Sequence, residues 1–395
     1  MTGSIDLESR TVSRVAVLGR DYRGVNFEML CQQGDTVQAG GAVMRDARRP
    51  QIYFTAPLGG RVVRIERGAR RRLIALHIEV GEDAGAARID PPKGDESAAQ
   101  RTFMLENGAW TSLRTRPFGN IPDPDAEPAA IFVTALDNEP MAPEPRPIID
   151  AFRDEFEAAV NLLAKISAAP IYVCHAVDHA IKLDVPQNVR CVSFSGGREA
   201  GLPGTHINRL CPIGFSGGEV WYLGYQDVIA LGHQLQHGAP WLQRVVALGG
   251  SAASNPRNLL LPPGASIDEL LADETGDAPL RVFSGSEHYG RALKSDNNFL
   301  GAGQRQISFV DIASAESGVV ADMLPGDWLD AVAPPGILPV PLMRALQLGD
   351  AERARELGAL ELVEEDVAAL SRACVSGNDY GLLLRGVLDQ LEAGR

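Results

Sequence analysis

Residues 34–65, GDTVQAGGAVMRDARRPQIYFTAPLGGRVVRI, constrain the fold more than any other stretch. Glycine, aspartate and arginine turns interrupt it every few residues, and the apolar runs between them (AVM, IYFTA, RVVRI) are too short for helices. VAVLG before them and LIALHIEV after them continue the pattern. Short runs of this kind read as strands, so residues 12–95 are expected to form a small β barrel-sandwich.

The cadence within that stretch is specific. A G-D-x-V-x-x-G turn, a short strand, a tight turn and then A-P-x-x-G-x-V resemble biotinyl and lipoyl carrier domains. In those domains a lysine at the tight turn bears the swinging arm. Here the turn is Asp46-Ala47-Arg48-Arg49, and the first lysine of the chain is Lys93. A biotin or lipoyl acceptor is therefore opposed by the residues that would have to make it. Residues 45–72 hold nine arginines against Asp46 and Glu66. That run is either a solvated face or a docking surface for acidic headgroups or a partner protein, with Arg48 and Arg49 at the turn. Residues 350–366 carry the opposite bias, seven acids against two arginines.

The whole chain, at 395 residues, is long enough for two to four domains. Its net charge of −14 disfavours nucleic acid as a partner, because phosphate binding needs a basic face. The five cysteines are scattered and never form C-x-x-C, which argues against a zinc or iron–sulfur site and for a reducing compartment. No apolar run approaches the roughly 20 residues of a membrane span, and the opening MTGSIDLESRTVSR does not read as a secretory signal.

DPPKGDESAAQ reads as a linker. From 101 to 240 the texture is α/β: the apolar runs 131–136, 171–177, 190–196 and 220–225 alternate with helical patterns. The clearest is 147–168, where Ile148, Phe152, Phe156, Val160 and Leu163 make one apolar face. This implies a Rossmann-like parallel sheet. RVVALGG, IDELLAD and LRVFSG within 241–337 suggest a β-grasp-like module, and 338–395 reads as a helical C-terminal domain.

No stretch declares a self-contained active site. SFSGGREAGLPGTH (193–206) is either a phosphate cradle or a structural loop; it matches neither G-x-G-x-x-G nor the P-loop pattern, and Pro203 removes a donor. His206 in GTHIN reads as a hydrogen-bonded core residue of a strand. His175 and His179, like His233 and His237, are four apart and could share a helix face, but neither pair has an obvious third ligand, so no metal site is assigned. In WTSLRTRPF, Arg114 and Arg116 would face one side of an extended segment, suited to an anion or acidic partner residues. In VWYLGYQDVIALG, Trp221 suits a core, and the Tyr225-Gln226-Asp227 end suits a planar quinone or a partner protein.

Taken in order, these segments resemble one family. LGRDYRGVNFEML, GDTVQAGGAVMRD, WTSLRTRPFGNIP, IFVTALDNEPMAPEP, GLPGTHI and WYLGYQDVIALG are similar to the A subunit of the Na+-translocating NADH:quinone reductase, over about 14–392. That family is related to the Rnf complex C subunit and the complex I flavoprotein subunit. The resemblance implies a multidomain α/β architecture of barrel-sandwich, Rossmann-like, β-grasp and helical domains. It implies a peripheral subunit on the cytoplasmic face of a membrane complex that passes electrons from NADH to ubiquinone. FMN, FAD and iron–sulfur groups are expected on partner subunits and none on this chain. For quinone contact it points to Phe132, Asp137, Asn138, Tyr225 and His206, with the early segment Arg23–Leu30. Arg48, Arg49, Arg114 and Arg116 are the partner-docking candidates. Two departures are visible: the apolar segment that precedes the first strand in the family, and a shortened 295–338 region. They leave open a paralogue redeployed to another redox partner; the other alternative is a stand-alone flavin-dependent NADH dehydrogenase in which residues 193–206 cradle a nucleotide.

Overall fold

The computed structural model describes residues 7–81, 84–213, 218–271, 280–293, 297–311, 329–330, 332–374 and 377–394. After β1 (Glu8–Ser9), the N-terminal unit contains β2 (Arg14–Leu18), β3 (Phe27–Met29), β4 (Thr36–Val37), β5 (Ala42–Asp46), β6 (Tyr53–Thr55), β7 (Gly60–Arg67) and β8 (Leu73–Val80). Strands β2, β8, β7 and β4 form one antiparallel sheet in that order, and β3, β5 and β6 form a second. Val15, Val17, Val43, Met44, Phe54, Leu76 and Ile78 are buried in one core, which gives the barrel-sandwich its interior.

The turn that would bear a carrier lysine is fastened down. Asp46 is 1% exposed; it accepts the Arg48 backbone N–H at 3.1 Å and Arg49 Nε at 2.9 Å. Arg49 Nη1 then donates to the Ile121 carbonyl at 2.8 Å, tying the barrel to the next unit. Arg49 is thus engaged internally, while Arg48 is exposed. Arg45, on β5, pairs with Glu28, and the other six arginines of the run, Arg61, Arg64, Arg67, Arg70, Arg71 and Arg72, crowd the β7–β8 hairpin and are all exposed.

The second unit comprises α1 (Ser97–Glu106), β9 (Arg114–Arg116), β10 (Ile131–Ala135), α2 (Pro145–Ala151), α3 (Arg153–Ile166), β11 (Ile171–Ala176), β12 (Val189–Phe194), α4 (Pro203–Leu210), β13 (Val220–Gly224) and α5 (Tyr225–His237). Its sheet runs β12-β11-β10-β13-β9, parallel except for β9 at the edge. Every residue of β10 is buried, as expected for a central parallel strand covered on both faces. The helical pattern over 147–168 divides at Phe152, whose φ of −123° and ψ of 42° are not helical and whose ring packs edge-on against Trp241 at 4.6 Å. GTHIN is helix rather than strand, because Pro203 opens α4 at its first turn. His175 lies on β11 and His179 in the turn after it, so that pair shares no helix face.

Beyond it lie β14 (Arg244–Gly249), β15 (Arg257–Leu261), α6 (Ile267–Leu271), β16 (Leu280–Ser284), β17 (Arg291–Ala292) and β18 (Gln306–Asp311). They form a mixed sheet in the order β1-β15-β14-β18-β16-β17, so the N-terminal strand β1 crosses over to pair with β15. Much of the 295–338 region, read from the sequence as shortened, lies outside the described residues. The C-terminal helices are α7 (Pro339–Leu348), α8 (Ala351–Glu356), α9 (Glu364–Ala373) and α10 (Tyr380–Ala393). Asp350 and Asp379 cap α8 and α10, each accepting a first-turn N–H at 3.0 Å. Leu342, Leu346, Leu370, Leu384 and Leu388 are buried in the core of these helices.

Candidate functional site

The order of the central sheet locates the site. The chain runs outward from β10 to β11 and β12, then returns to place β13 on the other side of β10. In open α/β sheets, ligands bind at such a switch point, beyond the carboxyl ends of the strands. A cavity of about 440 Å3 opens here, bordered by Thr134 near the end of β10, by Asp137 just after it, and by Tyr222, Gly224, Gln226 and Asp227 around the end of β13. The barrel contributes Tyr22 and Thr55, the mixed β14–β18 sheet and its loops Arg244, Tyr289 and Arg305, and the C-terminal helices Glu364, Glu365 and Arg385.

The cavity is rich in arginine, and four of its five arginines are matched by acids. Arg305 lies 2.9 Å from Asp137, Arg244 3.4 Å from Asp227 and Arg385 2.6 Å from Glu364; Arg198 pairs with Glu139. Burial alone would lower the Arg305 guanidinium, but the Asp137 charge beside it holds it well above the usual range. Arg114 donates to the carbonyls of Leu113 at 2.9 Å and Asp21 at 3.3 Å, and lies 5.8 Å from the Tyr22 ring centre. Burial pushes the phenols of Tyr22 and Tyr222 up to about 12, so both stay protonated hydrogen-bond donors.

The candidate quinone residues divide. Asp137 lines the large cavity. Asn138 lines a second cavity of about 300 Å3 with Asp137, and donates to the carbonyls of Gly196 and Gly197 at 3.2 and 2.9 Å. Phe132, His206 and Tyr225 are at most 1% exposed and border neither cavity. Phe132 stacks on Tyr172, and the Tyr225 hydroxyl donates to the Pro143 carbonyl at 3.4 Å. Of the Tyr225-Gln226-Asp227 group, the last two reach the cavity. In the early segment, Arg23 is bound to Glu392 on α10 at 2.8 Å, and the cavity residue is its neighbour Tyr22.

Arg116 is corrected outright. Strand β9 is extended, as expected, but Arg116 is 0% exposed and cannot meet a partner. The C-terminal helices cover this sheet edge. Arg116 donates to Asp366 at 3.0 Å and to the Glu361 carbonyl at 3.2 Å, and it bonds the Tyr222 hydroxyl. It locks α9 onto the sheet. Burial raises the Glu365 and Asp366 carboxyls, and Arg116 draws both back down.

The 193–206 loop proves to be filled by its own acid. Glu199 Oε1 accepts the Gly197 N–H at 2.8 Å, where an anion would have to sit. Gly196 adopts φ 146°, and a Cβ there would meet the same oxygen at 2.6 Å. The loop is structural. At its end, His206 Nε2 donates to the Ala200 carbonyl at 2.7 Å. Burial depresses this imidazole from 6.5 to about 4. Between those values the unfolded chain binds the extra proton, so stability falls as pH drops through that window. About 2 kcal/mol should be lost from this group between about pH 7 and pH 5. His206→Gln should flatten that part of a Tm–pH curve; an unchanged slope would place the acid sensitivity elsewhere.

The cavity residues that the sequence did not single out include Tyr22, Arg198, Arg244, Tyr289 and Arg305. They lie on elements far apart in the chain, and only the order of the sheets brings them together.

Comparison with known proteins bears on this arrangement. Residues 4–81 match the family model of the NqrA N-terminal barrel-sandwich hybrid domain, 96–240 that of the NqrA second alpha/beta domain, and 245–295 that of the NQRA C-terminal domain. The A subunit of the Na(+)-translocating NADH-quinone reductase of Pseudomonas aeruginosa is 35% identical over 97% of this chain and 94% of its own length. The corresponding subunit of Klebsiella pneumoniae is 36% identical and that of Neisseria meningitidis 34%, each over 96% of this chain and 94% of the relative.

Proposed function

This chain belongs to the NqrA family, the A subunits of the Na+-translocating NADH-quinone reductases, and on that premise we propose that it is a peripheral subunit whose switch-point cavity receives the quinone ring. It works without a flavin, nicotinamide or iron–sulfur group of its own, and those groups belong to partner subunits.

One observation carries this reading: four of the five cavity arginines are compensated by acids, and the fifth, Arg114, is engaged by backbone carbonyls. A dinucleotide or FMN brings phosphate, which needs uncompensated cations or converging backbone N–H groups. Here Arg198, Arg244, Arg305 and Arg385 are each held by a carboxylate, and the nearby glycine loop is filled by Glu199. These residues do not fit a phosphate-bearing cofactor. A quinone is neutral, planar and an acceptor at both carbonyls. Protonated tyrosines and guanidinium groups can stack on it and donate to it without needing a charge on the ligand.

Partner docking falls to the exposed arginines of the β7–β8 hairpin and to Arg48, which suit acidic partner surfaces at the cytoplasmic face of the membrane. Among the described residues no helix is long and apolar enough to cross a membrane, in keeping with attachment through partners.

The test is direct binding to the purified chain. Ubiquinone-1 should bind, and Tyr289→Ala should weaken it by about tenfold, the worth of one aromatic contact in a closed site. FMN and NADH should not compete. Tight binding of FMN, with NADH oxidation by the isolated chain, would replace this reading with a stand-alone dehydrogenase.

A further inference from the structure

Helices α3 and α5 pack side by side against the parallel sheet of the α/β unit, and they bring together three groups that the sequence keeps far apart. His233 and His237 lie one turn apart on α5, and Glu155 lies on α3. One ligand atom from each falls within 4.8 Å of the others. We propose that Glu155, His233 and His237 form a binding site for a divalent transition ion, Zn2+ by preference, that clamps α3 to α5.

The sequence supplied two imidazoles and no third ligand. The fold supplies the third through Gly232, beside His233. A Cβ at this position would lie 1.7 Å from the Glu155 carbonyl oxygen, so only glycine lets the helices touch here. That contact sets Glu155 against the histidine face. The separation of His237 Nε2 and Glu155 Oε1 is 3.2 Å. A tetrahedral zinc centre with ligands at about 2.0–2.1 Å has edges of about 3.3 Å, so this edge already has the right length. The two imidazole rings lie 4.4 Å apart, and the ring of Trp241 holds His233 from the side at 5.2 Å. Two imidazoles and one carboxylate suit zinc, and the fourth corner is open to water because His237 is half exposed.

The experiment is calorimetric titration of the untagged full-length chain, first stripped with chelator, using Zn2+ and then Co2+, whose visible ligand-field bands report the ligand set. One ion should bind per chain and raise the Tm. His237→Ala and Glu155→Gln should each weaken binding by at least about tenfold, since even outer-shell partners are worth 10–100-fold. Both side chains sit at the rim of the helix pair, and near-ultraviolet circular dichroism checks that each variant keeps its fold. His179→Ala, which removes the exposed imidazole 3.4 Å from Glu144, should leave binding unchanged. Absence of stoichiometric binding, or equal binding by all the variants, would overturn the proposal.

Discussion

Arg116→Ala should be the most damaging single change in the described chain, destabilising it by about 3–5 kcal/mol. The residue was a docking candidate in the sequence, and an exposed docking arginine would cost almost nothing to remove. The structure reverses that expectation. Arg116 and Asp366 are both 0% exposed and lie 3.0 Å apart. Truncating the arginine leaves a carboxylate without its cation in a site that water does not reach, and leaves the Glu361 carbonyl and the Tyr222 hydroxyl without a donor. The C-terminal helices should loosen from the sheet, because α9 is held there through its first turn. A double-mutant cycle separates charge from packing. Arg116→Met with Asp366→Asn should recover part of the loss, with a coupling energy of about 1–3 kcal/mol in denaturant titrations. Asp366 also accepts the Val363 N–H at 2.8 Å, a bond that Asn can keep. Additive effects would mean that the pair contributes packing alone.

The contrast between Arg116 and Trp221 shows what the sequence could and could not say. Trp221 lies in a run whose apolar content already implied burial, and it is 0% exposed. Strand β8 likewise coincides with its run, Leu73–Val80, because period-two apolarity is a local property. Arg116 has the local signature of an exposed residue, a cation between threonine and proline. Its burial is decided by Asp366, 250 residues later, and nothing local announces that partner. The same holds for the cavity. Asp137 was legible as the end of a strand, but its partner Arg305 comes from a different sheet. His206 was legible as a core histidine, though its backbone is helical, because Pro203 sets the start of α4. Thus the barrel-sandwich and the α/β pattern could be read from periodicity. The site could not, since it is made by the order of strands.

Gly232→Ala should lower stability and abolish the proposed metal site together, whereas the same substitution at Gly386 should do the opposite. Both glycines lie inside helices, where alanine gains up to about 1 kcal/mol of intrinsic propensity. At Gly232 a Cβ would meet the Glu155 carbonyl oxygen at 1.7 Å, its carbon at 2.4 Å and the Glu155 Cα at 2.8 Å. These are backbone atoms of α3, so no side chain can rotate out of the way, and α3 and α5 must move apart by more than about 1 Å to restore contact distance. Overpacking of this kind costs about 3 kcal/mol, so the net loss should be about 2 kcal/mol or more. The movement carries Glu155 away from His233 and His237, which breaks the 3.2 Å edge on which the ion would sit. Zn2+ should then no longer raise the Tm, even with all three ligands intact. At Gly386, on α10, a Cβ meets nothing within 4 Å, so alanine should raise stability by about 0.5–1 kcal/mol and leave the Zn2+ response unchanged. Melting each variant with and without Zn2+ checks both. If Gly232→Ala melts like the native chain, the helices tolerate the extra carbon, and the geometry that brings Glu155 to the two histidines is not enforced by their contact.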